Sequence, residues 1–282
     1  MTKHVPVLLD TVLAALGDIC GRNVIDATFG AGGYSRAFLA RGANVTAFDR
    51  DPNVAADAKA LAAEYGDRFT FVPRPFSAMA ELDGKYDAII FDLGISSMQI
   101  DIPERGFSFR ANGPLDMRMS ADGMSAADLI AGADVSELAR ILRDYGDIKK
   151  ATVLAHAIKD ARPQTTMELK ELIYNPRDVA PVFQALRIAV NDEMGEVERA
   201  LGAVPNLLRA HGKCICVTFH SLEDRIVKNT FRAWTTTPGD PRMPQIASAP
   251  FASIASRVPT ADELAQNPRA RSAHMRGVVK SY

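Results

Sequence analysis

Three carboxylates stand where short apolar runs stop: Asp26 after Asn23-Val24-Ile25, Asp49 after Val45-Thr46-Ala47-Phe48, and Asp92 after Ala88-Ile89-Ile90-Phe91. A charge at the end of an apolar strand is costly to bury without a partner, so such positions point to a site. Between the first two lies Thr28-Phe29-Gly30-Ala31-Gly32-Gly33-Tyr34-Ser35. Glycines there let a ligand approach the backbone more closely than a Cβ permits. The turn is not a P-loop, because no Gly-Lys-Ser/Thr follows. It does not complete G-x-G-x-x-G either, because Ser35 stands at the third glycine. Asp49 follows at the spacing of about twenty residues that lets a carboxylate accept from ribose hydroxyls, as in NAD and S-adenosylmethionine sites alike. Asp26 separates the two: a carboxylate repels a pyrophosphate and attracts the ammonium of a methionine moiety. The alternative is a tight turn with an incidental aspartate.

Other side chains carry a chemical and a structural reading each. Phe76 follows the third apolar run, where a ring suits adenine or the core. His220 sits between the run Cys214 to Phe219 and a helix opened by Ser221-x-x-Asp224; it orients a base or relays a proton near neutral pH, or it caps the helix. Phe107 and Phe109 lie between Arg105 and Arg110. Rings among arginines suit stacking on a splayed base with phosphate contact; a hydrophobic seam is the competing reading.

The elements that must position these residues follow from periodicity. Up to about residue 100, short apolar runs alternate with helical stretches, the pattern of a parallel sheet wrapped by helices. From Pro103 to Pro181 the runs disappear. Val135, Leu138, Ile141, Leu142 and Tyr145 share one helical face behind Asp134 and Glu137 in capping-box spacing; Val153 to Ala161 form a second helix, and Thr165 with Glu168 open a third. One helix from Val182 to Val204 then restores the α/β pattern. The expected organisation is an α/β core of residues 1–103 and 182–282 with a helical insert at 104–181, and residues 235–260, rich in Pro, Thr, Ser and Ala, as a loop.

Composition sets the outer bounds. With 47% hydrophobic and 24% charged residues, disorder and fibres are set aside. No apolar run approaches the roughly 18 residues of a membrane span, and Cys20, Cys214 and Cys216 form neither a disulfide framework nor a four-ligand zinc site, so a reduced, cytoplasmic setting is expected. Lys plus Arg number 33 against 34 Asp plus Glu, so any nucleic-acid surface must be local. Arg269, Arg271, Arg276 and Lys280 near the C-terminus supply one or form a solvated tail; Arg269 and Arg271 are the RNA-contact candidates.

With these residues in view, the chain resembles the RsmH (MraW) family of small-subunit ribosomal RNA cytosine N4-methyltransferases. The likeness rests on His4 to Leu9, the Asp26 to Ser35 turn, Phe48 to Pro52, Asp92 to Gln99, Glu104 to Phe109, Gly113 to Met119, Phe183 to Ile188, Phe219 to Lys228 and Asn267 to Ser272. It implies a Rossmann-like class I methyltransferase core, α/β, with an inserted all-helical domain. It implies S-adenosylmethionine as cofactor, with contacts from Gly32, Gly33, Tyr34, Asp49, Phe76, Asp92 and Gln99; Asp26 and Gly30 complete that set from the reading of the turn. It implies methyl transfer to N4 of a cytosine; as positive charge develops on that nitrogen, Asp92, Ser96, Ser97 and backbone carbonyls of their loop are the candidate acceptors facing the amino group. The implied partner is small-subunit ribosomal RNA or the assembling subunit, without a membrane; monomer and homodimer stay open. Tyr34 replaces a frequent His, Met98 a frequent Pro, and Tyr174 to Pro181 lacks a basic run common before Phe183. Two other functions remain: an RNA-binding assembly factor with a vestigial cofactor fold, and a methyltransferase acting on a protein or small molecule.

Overall fold

The structure, a computed structural model, describes residues 6–120, 122–237 and 249–282, apart from the side chains of Ser97, Pro268 and Arg269. His4 and Val5 of the resemblance and positions 238–248 of the expected loop lie outside the described residues.

The chain forms two compact units, 1–94 with 194–282, and 95–193. In the first, the sheet is built from β1 (Asn23–Asp26), β2 (Asn44–Phe48), β3 (Phe69–Val72), β4 (Tyr86–Asp92), β5 (Leu208–Thr218), β6 (Phe251–Arg257) and β7 (His274–Lys280) in the order β3-β2-β1-β4-β5-β7-β6. The first five are parallel, and β7 runs antiparallel between β5 and β6. Strands covered on both faces read as continuous apolar runs; Ile89, Ile90 and Phe91 of β4 are accordingly buried. Helices α1 (Leu9–Leu16), α2 (Gly33–Ala40) and α3 (Ala55–Tyr65) belong to this unit.

The second unit contains α4 (Ser97–Asp101), α5 (Ala126–Gly132), α6 (Val135–Gly146), α7 (Ala151–Ala161), α8 (Thr166–Glu171) and α9 (Val179–Asn191). Asp134 and Thr165 cap α6 and α8 as their spacing predicts, accepting from the Glu137 and Glu168 amides. Residues 182–193, expected in the α/β core, lie in this unit instead, because Val182, Phe183, Ala185 and Leu186 join its apolar core with Leu138, Ile141 and Leu142; residues 95–103 go with them. The single helix expected from Val182 to Val204 is also two: Asp192 adopts φ 47°, closing α9 before α10 (Glu193–Leu207) begins. The chain then returns to the first unit through α10, β5, α11 (Ser221–Thr235) and α12 (Ala261–Gln266).

Part of the expected loop is strand, Phe251–Arg257, paired on β7. The C-terminal strand itself went unrecognised as strand in the sequence, and two of its cations serve structure. Arg276 holds Asp224 of α11 in a two-pronged pair at 2.7 and 2.9 Å, and Lys280 donates to the carbonyls of Pro205 and Leu208. Among the described residues no helix is long and apolar enough to cross a membrane.

Candidate active site

The strand order reverses at β1: the chain proceeds outward to β2 and β3, then returns to β4 on the other side. Loops leaving β1 and β4 at their carboxyl ends therefore diverge, and a crevice opens between them. Asp26 closes β1 and Asp92 closes β4.

The three glycines of the first turn have different reasons. Gly30, at φ 53°, faces open space: a Cβ there would meet nothing within 4 Å, so the turn's backbone lies bare to a ligand. Gly32, at φ 75°, would bring a Cβ to 2.9 Å from the Phe29 ring, and one on Gly33 would come to 2.4 Å from Pro6. Those two are glycines because the protein's own atoms fill the space, a correction to the ligand-approach reading of the whole turn. Tyr34, next in line, is buried, its hydroxyl donating to the Val7 carbonyl and its ring against Phe38. Its side chain is thus committed to the core.

Asp49 joins the turn from β2. Its oxygens accept from the Gly30 and Asp51 amides, both at 2.8 Å. A carboxylate offers about four acceptor positions, so two remain for hydroxyls of a ligand. Burial raises its pKa, partly offset by the two amides.

Asp26 departs from expectation. It is wholly inaccessible, with its oxygens accepting from the Ser35 hydroxyl at 2.6 Å and the Thr28 amide at 3.3 Å. It fastens the turn to the start of α2 and presents no open face to an ammonium group. Desolvation pushes its carboxyl up to about 6, against the lowering effect of Ser35.

Asp92 is different. It is partly accessible, yet its Oδ1 is buried without a hydrogen-bond partner. Desolvation first, then the nearby charges of Asp26 and Glu223, raise its pKa well above the usual carboxylate range. A buried acceptor with no donor is costly, and here it belongs to the residue that closes β4. Phe76 stands half-buried after β3, its ring edge-on to Phe91 at 5.8 Å.

His220 is the N-cap of α11, one residue before the Ser221 expected to open it. Its Nδ1 accepts from the Glu223 amide at 3.4 Å, and Glu223 reaches back to the amides of Phe219 and His220 at 2.8 and 3.3 Å. With Nδ1 an acceptor, the proton of the neutral ring sits on Nε2, which lies 3.0 Å from Glu223 Oε1. His220 is therefore a capping residue whose Nε2, although 3.0 Å from Glu223 Oε1, is buried without a hydrogen-bond partner. Glu223, which the sequence reading passed over, is 1% exposed; its only signal was helix-capping spacing from His220.

In the helical unit, Ser96 and Gln99 form a capping box on α4: the Gln99 amide donates to Ser96 Oγ at 3.2 Å, and Gln99 Oε1 accepts from the Ser96 amide at 3.1 Å. Gln99 is buried. Both candidates thus serve as cap partners, while the Ser97 side chain lies outside the described residues.

The aromatic RNA candidates belong to the helical unit, Phe107 buried and Phe109 half-buried. Phe107 is 7% exposed in the helical unit's core, and Phe109 packs edge-on against Phe183 at 5.3 Å. Arg105 covers the Phe107 ring and donates to the Arg118 and Met119 carbonyls at 2.9 and 3.1 Å. Both rings pack within the helical unit itself, Phe107 in its core and Phe109 against Phe183, because rings gain more from burial than from standing in water. Arg110 and Arg271 remain exposed; the side chain of Arg269 lies outside the described residues.

The crevice suits a methionine-derived sulfonium nucleoside: an open glycine backbone, a half-buried acidic acceptor at Asp49, an aromatic edge at Phe76, and an orphaned carboxylate oxygen at Asp92. Comparison with known proteins agrees. The profile of the MraW methylase family matches residues 1–281. The ribosomal RNA small subunit methyltransferase H of Rhizobium johnstonii is 46% identical, the match covering 99% of this chain and 88% of that one. Its counterpart in Rhizorhabdus wittichii is 45% identical over 97% and 92%. At that identity over nearly its whole length, the chain belongs to the MraW methylase family.

Proposed function

We propose that this chain transfers a methyl group from S-adenosylmethionine to the exocyclic N4 of a cytosine in small-subunit ribosomal RNA, in the cytoplasm. The observation that carries the reading is Asp92, a carboxyl at the crevice with one buried oxygen lacking a donor. An amino group arriving at the crevice supplies such a donor.

When bound, S-adenosylmethionine supplies an electrophilic methyl group on a sulfonium. Asp49 would hold its nucleoside end against the open backbone at Gly30, and Phe76 would offer its ring to the adenine. The N4 lone pair is shared with the pyrimidine ring, so the nucleophile is weak and must be aimed. Positioning can supply roughly 7 to 11 kcal/mol of such a barrier. Asp92 accepts from the amino group, stabilises the positive charge that develops on nitrogen, and takes the proton. Its raised pKa makes it a better base than an ordinary carboxylate.

Methylation at carbon 5 of the ring needs a thiolate to form a temporary bond. Cys214 and Cys216 are buried within β5 and Cys20 precedes β1 on the surface, so attack by nitrogen is the chemistry these residues support. Nucleoside mass spectrometry of small-subunit ribosomal RNA, from cells with the gene, without it, and with a variant in which all three cysteines are alanine, tests this. N4-methylcytidine is expected to vanish on deletion and return with either protein. Loss of 5-methylcytidine instead, or failure of the folded cysteine-free variant, overturns the reading.

A further inference from the structure

Glu223 is almost wholly buried on the first turn of α11. Its Oε2 accepts from two successive amides, Phe219 at 2.8 Å and His220 at 3.3 Å, so the carboxylate cannot swing away. The other oxygen faces His220 Nε2 at 3.0 Å and borders Gly94, just past Asp92: a Cβ on Gly94 would lie 3.9 Å from Glu223 Oε1. Capping needs only the first oxygen. Placing the second beside the end of β4 adds a charge that a cap does not require.

We propose that Glu223 is a positioning residue for methyl transfer, setting a second negative charge near the end of β4 that carries the Asp92 carboxyl. The inference rests on the methyltransferase reading above and deepens it. A carboxylate close to another carboxylate makes the second hold its proton more tightly. Asp92 thereby becomes the stronger base, at the place where a proton must leave the amino nitrogen. The charges of Asp26 from β1 and Glu223 from α11 both act on the Asp92 carboxyl, and Asp92 in turn acts on Tyr34 of α2. Asp26 lends the same sign from the side of the cofactor turn. Glu223 lends it from α11.

The test is the pH profile of single-turnover methyl transfer with saturating S-adenosylmethionine, for wild type, Glu223→Gln and Glu223→Asp. The Gln variant keeps an oxygen for the amides and loses the charge. Its rate plateau is expected to fall about tenfold and its acid midpoint to drop by about one pH unit, the tenfold fall in proton affinity expected when one neighbouring charge is removed. Cofactor affinity and Tm stay near wild type. The Asp variant, which draws the charge back by one methylene, gives a midpoint between the two. Should the Gln variant not fold, the Asp midpoint alone decides, and an unmoved midpoint refutes the role. Midpoints that coincide in all three proteins reduce Glu223 to a helix cap. If wild type yields no N4-methylcytidine in the same reaction, the substrate reading fails; if all three yield it with superimposable profiles, only the inference does.

Discussion

The backbone amide of Asp92 donates to the Thr28 hydroxyl at 2.7 Å, tying the end of β4 to the turn after β1 across the point where the strand order reverses. One side chain thus sets the width of the crevice mouth. Thr28→Val keeps the shape and removes the acceptor. Leaving the amide unpaired is expected to cost about 1–3 kcal/mol, read by urea denaturation, with weaker S-adenosylmethionine binding by calorimetry. Unchanged values in both would show that the tie is incidental.

Asp92→Ala is expected to lower kcat about a hundredfold or more, the range of a lost general base, while the Kd for S-adenosylmethionine changes by less than about tenfold. A group that faces charge developing on nitrogen acts mainly in the transition state. Equal losses in rate and affinity would make Asp92 a cofactor ligand only.

Asp49→Ala removes a charged acceptor from the cofactor turn and frees the Gly30 and Asp51 amides. Calorimetry is expected to show S-adenosylmethionine binding weakened by about 1.5–3 kcal/mol, with NADH not binding to either protein. Tight NADH binding by wild type would contradict the cofactor assignment.

The buried Asp26 makes stability depend on pH. Its carboxyl rises from 3.8 to about 6 on folding, so the folded state holds this proton more tightly than the unfolded one. The contribution is complete below about pH 4 and is lost as pH rises through about 6, amounting to on the order of 3 kcal/mol. Asp92, also raised by burial, acts with the same sign. Asp26→Asn, which keeps an acceptor for Ser35, is expected to flatten the fall between pH 4 and 6 in urea-melt stability. A variant curve parallel to wild type would sink this assignment.

Phe107 and Arg110, three residues apart, are expected to behave oppositely. Phe107→Ala opens the helical unit's core and is expected to lose about 3–5 kcal/mol of stability. Arg110→Ala leaves stability within about 0.5 kcal/mol and raises the KM for RNA, because an exposed arginine pairs with phosphate. A stable Phe107→Ala protein with a raised KM would return the ring to the RNA.

The α/β core and the acidic crevice were legible in the sequence because both follow from local rules. Continuous apolar runs mark strands buried on both faces, and an acidic residue at each run's end must emerge where the parallel strands end. The caps at Asp134 and Thr165 were legible for the same reason, since capping is settled within four residues. What depended on partners distant in the chain was decided only by the tertiary structure. Asp26 looked like a ligand to an ammonium until Ser35 and burial claimed it. Phe107 looked like a stacking ring until the helical unit closed around it. Arg276 could be read as part of an RNA surface or of a solvated tail until β7 slotted between β5 and β6 and set it on Asp224. Glu223 carried no signal beyond its capping spacing, because its place next to Gly94, just past the end of β4, arises when β4 and β5 pair, a contact between segments more than a hundred residues apart. Sequence fixes what a residue can do; the pairing of distant strands fixes which neighbour it does it to.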